Sequence, residues 1–356
     1  MVKIRNSVRY VLVIILLAVF IVLFVSIFKR LPIEGTSLAL DWRGIWQSIE
    51  GGTINYGKGL RNPPWSIIPV LPFGLISFRE SWALLTIVTL GVLVISVPRN
   101  SSHRSFWFYT FLISTSFPTL RLVADGNLEV LTIAGTLILL YGYRSRSPWA
   151  LGVGILLASA KPQESWLFIL AIALYSYQQW PLKRVATAFT IVVLFVVPSM
   201  LWVGKDWLQA LILIEERGSI MDVSLIAAMN RLMVSPWLIG IFWLAILIAT
   251  MVVVIRTGRS FSRHKAGFLI SASLLLSPYS AGNSMITVLA IGIIPLLKES
   301  PKAGLLMIAL INLQYFSPNS SIMYSYGAFY STGMLLLSFL LLGGYVYRSE
   351  TISLAD

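Results

Sequence analysis

The chain has 356 residues, 57% of them hydrophobic and only 12% charged, with no cysteine and a formal net charge of +13. A mean hydropathy of +0.83 excludes a soluble globular domain, and the lack of cysteine excludes a disulfide framework, a thiol nucleophile and a thiolate metal site. Such a chain needs lipid as its solvent, and its long apolar windows specify helices, so the expected class is an all-α, polytopic integral membrane protein.

In chain order, residues 8–28 form the first apolar window, long enough at 1.5 Å per residue to cross about 30 Å of hydrocarbon. Lys3, Arg5 and Arg9 precede it, and Lys29, Arg30 and Pro32 follow in place of a small-residue cleavage site, so it reads as a retained helix. The first outer loop, 29–64, carries Asp41 and then Trp42, Ile45, Trp46 and Ile49 at helical spacing. That pattern predicts a short amphipathic helix lying in the membrane interface with its tryptophans at headgroup depth. Asp41 stands where this helix begins, which suits an N-cap and equally a general base at the mouth of a membrane cavity. Pro63 and Pro64 close the loop and start the next element.

Residues 65–97 are a compound segment, because Pro69, Pro72 and Gly74 interrupt it before Arg79 and Glu80. They predict a broken or re-entrant helix followed by a span over 82–97, one net crossing in all. Further spans are expected at 105–120, 128–143, 149–160, 163–177, 186–203, 236–255, 266–278, 283–297, 303–316 and 329–347. The sum is about twelve crossings (11–13) in a single transmembrane domain, 1–356. Spans as short as 149–160 and 266–278 fit only where they end in a protein-lined cavity. The second large outer loop, 204–235, mixes Lys205, Asp206, Glu215, Glu216, Arg217, Asp222 and Arg231, as a salt-bridged element capping a cavity would.

Basic residues recur in alternate short loops, which places both termini inside by the positive-inside rule. On this map 16 of the 27 Lys/Arg but only Glu299, Glu350 and Asp356 among the 14 acids are inside, and the outer side is neutral by balance. The excess charge is therefore topological, and nucleic acid is not an expected partner. His103 and His264 fall in the basic inner loops as solvated residues, which argues against a histidine-based mechanism.

The outer turns hold the remaining chemistry. Arg121 precedes Asp125-Gly126-Asn127-Leu128-Glu129, an acidic stretch read as a helix head suited to the positive end of the dipole. In Lys161-Pro162-Gln163-Glu164, a lysine between two apolar half-length spans must reach water, a phosphate or a carboxylate, with Glu164 the nearest choice. The late turns, including Ser277-Pro278-Tyr279 to Asn283, bring hydroxyls and amides.

These features together resemble the glycosyltransferase C superfamily: one first helix, an outer loop with an aspartate ahead of an interfacial helix, and a tyrosine and Pro-Pro-Trp closing that loop. Within it the chain is most similar to polyprenyl-phosphate-mannose-dependent alpha-mannosyltransferases of lipoglycan synthesis. Gly126-Asn127, Lys161-Pro162 and Ser277-Pro278 extend the likeness. The family often has Gly-Gln where this chain has Asp125-Gly126, and a histidine where it has Tyr279 to Asn283.

The resemblance implies a transfer of mannose or another hexose, with inversion, from a polyprenyl-phosphate donor to a lipid or glycan acceptor at the outer face of a plasma (inner) membrane. Asp41 would be the general base, and Lys161, Arg121 and Arg61 would hold the donor phosphate. Arg43, Tyr56, Lys58, Asp125, Asn127, Gln163, Glu164, Tyr279 and Asn283 are candidate substrate contacts. With no aspartate pair at DxD spacing, neither metal nor cofactor is expected. A transporter or lipid flippase, which would place charges near the bilayer midplane, and a noncatalytic scaffold of a membrane assembly are the other classes open to such a sequence.

Overall fold

The computed structural model describes residues 2–34, 36, 38–58, 60–99, 102–212, 222–316 and 321–352, with the side chains of 2–14, 315–316, 321–326 and 352 outside the description. Every regular element among them is helical. Helix α1 (Val2–Arg30) is followed by α2 (Leu40–Ile49), two short 3-10 turns, and α3 (Pro64–Ile67), which continues as a 3-10 helix over Ile68–Leu75. Pro69 and Pro72 cause that change of pitch, since each lacks the N–H that an α-turn would use.

The segment Pro64–Leu75 is too short to span. It starts against the 158–160 turn, where Asn62 Nδ2 donates to the Ala160 carbonyl at 3.3 Å and Trp65 Nε1 to Ser159 Oγ at 3.0 Å. It ends with Gly74 on the Ile49 carbonyl, so close that a Cβ there would lie 1.9 Å from the oxygen. Helix α4 (Phe78–Ser96) then runs antiparallel to α1. Lys29 pairs with Glu80 at 2.5 Å, and Arg79 donates to the Lys29 carbonyl. The described residues of 31–77 therefore lie at one end of the bundle, and the compound segment is broken as expected and followed by a single long helix.

The expected span 105–120 is two helices, α5 (His103–Ser114) and α6 (Phe117–Asp125). Pro118 opens α6, and the hydroxyls of Ser116 and Thr119 both donate to the Ile113 carbonyl, at 2.9 and 2.6 Å, closing α5. Helix α7 (Glu129–Ser145) folds back on α6 at a 120° bend. Then follow α8 (Pro148–Ala158), α9 (Pro162–Gln179), α10 (Leu182–Ile212), α11 (Leu225–Arg231), α12 (Pro236–Arg256) and α13 (Arg263–Leu276).

A 3-10 turn at Gly282–Ser284, α14 (Met285–Val288), a π-turn over Leu289–Ile293 and α15 (Ile294–Glu299) form one composite helix. Pro295 accounts for the π-turn, because it cannot donate to residue 291. Helices α16 (Pro301–Asn312) and α17 (Ser321–Ile352) complete the chain.

Five described helices are long and apolar enough to cross a membrane: Phe78–Ser96, Leu182–Ile212, Pro236–Arg256, Gly282–Glu299 and Gly327–Thr351. The bent pair α6/α7 makes a sixth if it counts as one span. Helix α1 adds a further 29 residues. The dozen crossings expected from the sequence include short helices such as α8, of 11 residues, which cover only about half of a bilayer core. Within 204–235, read as the second outer loop, α10 stays helical through Lys205 and Asp206 to Ile212; Glu215, Glu216 and Arg217 lie outside the described residues.

Residues His264 to Leu276 of α13 are buried on every side, which marks the centre of the bundle. Helices α7 and α8 approach backbone to backbone through glycine: a Cβ on Gly135 would lie 2.1 Å from Ala158 N and one on Gly154 2.6 Å from Leu139 Cα. The apolar faces of α1, α10 and α12 are turned outward, as lipid contact requires.

Two sequence readings are corrected by this packing. The apolar face of α2 is covered by protein, not by the membrane interface: Trp42 and Ile49 are fully buried, Trp42 Nε1 donates to Ser81 Oγ at 2.9 Å and Trp46 Nε1 to the Ile76 carbonyl at 3.1 Å. His264 is likewise not solvated, since the first turn of α13 buries it beside Glu299 at 3.8 Å and the Tyr345 ring.

Candidate active site

Helix α2 enters through Ala39, whose left-handed backbone (φ 53) aims its N–H at the Ala124 carbonyl, 2.6 Å away. The contact docks the start of α2 on the end of α6. Asp41 follows in the first turn, but it makes no cap: the N-cap is Ala39, without a side-chain bond. Its Oδ2 instead accepts from Asn127 Nδ2 at 2.6 Å. Asn127 is fixed in turn, because its Oδ1 accepts the Leu128 N–H at 2.7 Å.

Asp41 is partly exposed at the head of this arrangement. Burial pushes its carboxyl above the usual 3.8, Asp125 and Glu129 push the same way, and Lys161 and the Asn127 bond pull back. A carboxylate held in such surroundings is more basic than one in water.

The sequence reading of Asp125 as a helix head is also corrected. It is the last residue of α6, which Gly126 ends in the left-handed conformation (φ 70). The dipole disfavours a carboxylate there, and Arg121 at 3.3 Å with Asn283 Nδ2 at 3.1 Å offsets it. Gly126 has no tolerated replacement, since a Cβ would lie 2.5 Å from that of Trp42. Gly126→Ala is expected to lower stability by more than the about 1–2 kcal/mol of left-handed strain alone, read as a reduced unfolding temperature of the purified protein.

Behind Asp41 lies a buried ion triad. Lys161 pairs with Glu129, its main partner, and sits 3.9 Å from Glu164. Glu164 is also held by Ser284 Oγ at 2.7 Å and Thr287 Oγ1 at 2.9 Å. Both carboxylates are fully buried. Glu129 is the residue that reading by sequence missed as a site component. The signal was present as an acid in the first turn of an otherwise apolar helix, where an uncompensated charge is costly.

The structure brings Asp41, Asn127, Asp125, Arg121, Lys161, Glu164 and Asn283 into one cluster. Tyr279 faces it, its hydroxyl pushed up by burial while the fields of Lys161 and Arg61 pull down. Arg61 is exposed beside it, its carbonyl held by Trp207 Nε1 at 2.9 Å.

Other candidates are placed elsewhere. Arg43 turns away, donating to the Ile33 carbonyl at 3.1 Å and lying over the Phe78 ring. Tyr56 closes the loop by donating to the Asn62 carbonyl at 2.9 Å. Lys58 is exposed on its 3-10 turn and Gln163 is half-buried in the first turn of α9. In the stretch read as the second outer loop, Asp222 forms no salt bridge among the described residues; its Oδ1 accepts the N–H groups of Ser224 and Ser280, both at 2.9 Å, which ties α11 to the turn carrying Tyr279.

The sequence pattern of glycosyltransferase family 87 matches residues 61–278, more than half of the chain. The chain belongs to glycosyltransferase family 87. The match takes in Arg61, Arg121, Asp125, Asn127, Glu129, Lys161 and Glu164, while Asp41 precedes it and Tyr279 and Asn283 follow it. No curated protein and no solved structure matches the chain. With its long apolar helices, this family-87 member is a membrane glycosyltransferase.

Proposed function

We propose that this family-87 glycosyltransferase moves a hexose, mannose first among the candidates, from a polyprenyl-phosphate donor to a lipid or glycan hydroxyl at the outer face of the plasma membrane. The observation that carries the reading is the Asp41 carboxylate, oriented by Asn127 at 2.6 Å and raised in pKa within a cluster of fixed charges. A general base works best when its pKa approaches the working pH. The acceptor O–H gives its proton to Asp41, its oxygen bonds to the sugar C1, and the bond from C1 to the phosphate oxygen breaks on the opposite face. The electron pair leaves with the polyprenyl phosphate, and the anomeric configuration inverts.

The developing phosphate charge needs preorganised cations. Arg61 and the partly exposed Arg121 supply forks matched to phosphate oxygens. Lys161 contributes as a point charge from behind, its ammonium turned to Glu129 and Glu164. Asn283, Asp125 and Tyr279 are the nearest groups for sugar hydroxyls. The test is direct: purified protein, radiolabelled polyprenyl-phosphate hexoses and membrane lipid acceptors. A labelled lipid or glycan product is expected, and no transfer from any common donor sinks the proposal.

The pH profile adds a signed expectation. Transfer falls as pH drops through the Asp41 pKa, so the acid limb of kcat/KM lies above 3.8. Asn127→Ala removes a bond that lowers this pKa and moves the limb to higher pH. An unchanged limb would separate Asn127 from the base.

A further inference from the structure

Helices α7, α9 and α13 all start or finish at the Asp41–Lys161 cluster, and their far ends meet at the opposite end of the bundle. Helix α7, 17 residues long, sets the separation at about 25 Å. A cavity of about 430 Å³ opens there, lined by Arg144, Arg146 and Arg259 together with Tyr143, Gln179 and Trp180. Its walls are fixed by bonds between elements. The Tyr143 hydroxyl donates to the Arg259 carbonyl at 2.6 Å, and Arg144 donates through Nε and Nη2 to the Phe261 carbonyl at 3.1 and 2.7 Å.

Arg146 and Arg259 are exposed at the mouth, Arg146 in the left-handed conformation that ends α7. Among the described residues the acid at this rim is Glu350, which accepts from Ser260 Oγ at 3.3 Å and pairs with Lys265 at 3.7 Å. Among the described residues, three guanidinium groups and Lys265 against one carboxylate leave a positive surplus around the cavity.

The positive-inside bias alone explains basic residues at this end. It does not explain the convergence of three arginines from two separate turns on one cavity. Tyr141, Trp149 and Tyr177, each about two-thirds exposed, ring the same end of the bundle. Exposed aromatic rings of that kind settle at headgroup depth, which puts the cavity within reach of lipid phosphates.

We propose that this cavity binds a phosphate group, delivered as the headgroup of an anionic lipid from the leaflet opposite the transfer site. Arg146 and Arg259 grip the phosphate oxygens with paired N–H donors, Arg144 adds its field from a fixed position, and Tyr143 and Trp180 wall the apolar side.

The test uses the full chain in detergent, titrated with phosphatidylglycerol or phosphatidylcholine and read by native mass spectrometry. Wild type retains the anionic lipid in preference to the zwitterionic one. The pair Arg146→Gln/Arg259→Gln lowers that retention by roughly tenfold or more, each cation near an anionic headgroup being worth about a factor of five. A control pair, Lys183→Gln/Arg184→Gln, removes the same charge from exposed positions at the same bundle end but outside the cavity, and leaves retention near wild type. Equal loss in both pairs, or equal retention of the two lipids, overturns the site. Inorganic phosphate is the soluble arm: if it stabilises the protein thermally with no lipid preference, the cavity takes a free anion and the lipid assignment falls. A normal unfolding temperature in both pairs shows that each variant is folded.

Discussion

Asp41→Asn is expected to reduce sugar transfer by about 10²–10⁴-fold, the range that a positioned general base contributes, while leaving the protein at least as stable as wild type. The sign of the stability effect follows from the surroundings of the carboxylate. Its pKa is raised in the folded state, by burial first and then by Asp125 and Glu129. A carboxyl raised in this way binds its proton more tightly when folded, so ionisation costs stability above that pKa, and the cost fades as pH falls through it. A neutral amide removes the cost and can still meet Asn127.

An N-cap would behave in the opposite way, because losing it destabilises a helix by about 0.5–2 kcal/mol. Transfer assays and thermal unfolding of the same variant therefore separate the two roles of Asp41. Full activity in the variant, or a lowered unfolding temperature with activity retained, returns the residue to a structural role.

The second large effect belongs to Lys161. Lys161→Met leaves Glu129 and Glu164 buried and facing each other without their cation, and breaking a buried pair in this way costs about 3–5 kcal/mol. Thermal unfolding in detergent should show a large loss. The double variant Lys161→Met/Glu129→Gln should recover much of it, since the isolated carboxylate is gone and Glu164 keeps the hydroxyls of Ser284 and Thr287. If the single variant unfolds at the wild-type temperature, the three groups are not a coupled triad. If the double variant is no better than the single one, Glu129 is not the main partner.

These expectations rest on features of different legibility. The helical class and the positions of most helices were readable because apolar windows and prolines are local signals. The break at 64–75 was announced by Pro69, Pro72 and Gly74 in the same way. The break between α5 and α6 was not read, although Pro118 stood in plain view, because the hydroxyls of Ser116 and Thr119 close the preceding helix only once they find the Ile113 carbonyl. The α2 helix was legible as amphipathic, but amphipathicity does not say what covers the apolar face. Lipid and protein are equally apolar, and only the packing of Trp42 against Ser81 and α6 decides between them.

By itself, then, the sequence determined that this chain is a helical membrane protein whose few charged groups sit in its turns and near its helix ends. Those properties depend on composition and on order along the chain. The tertiary structure alone decided which of those charged groups meet. Asp41 reaches Asn127 across 86 positions and Lys161 reaches Glu129 across 32. No local pattern encodes such distances. They follow from the left-handed turns at Ala39 and Gly126 and from the glycine-mediated approach of α7 and α8. Asp41 reads as a candidate base from its position in the chain, and it acquires a raised pKa because the fold first takes it out of water and then sets Asp125 and Glu129 beside it.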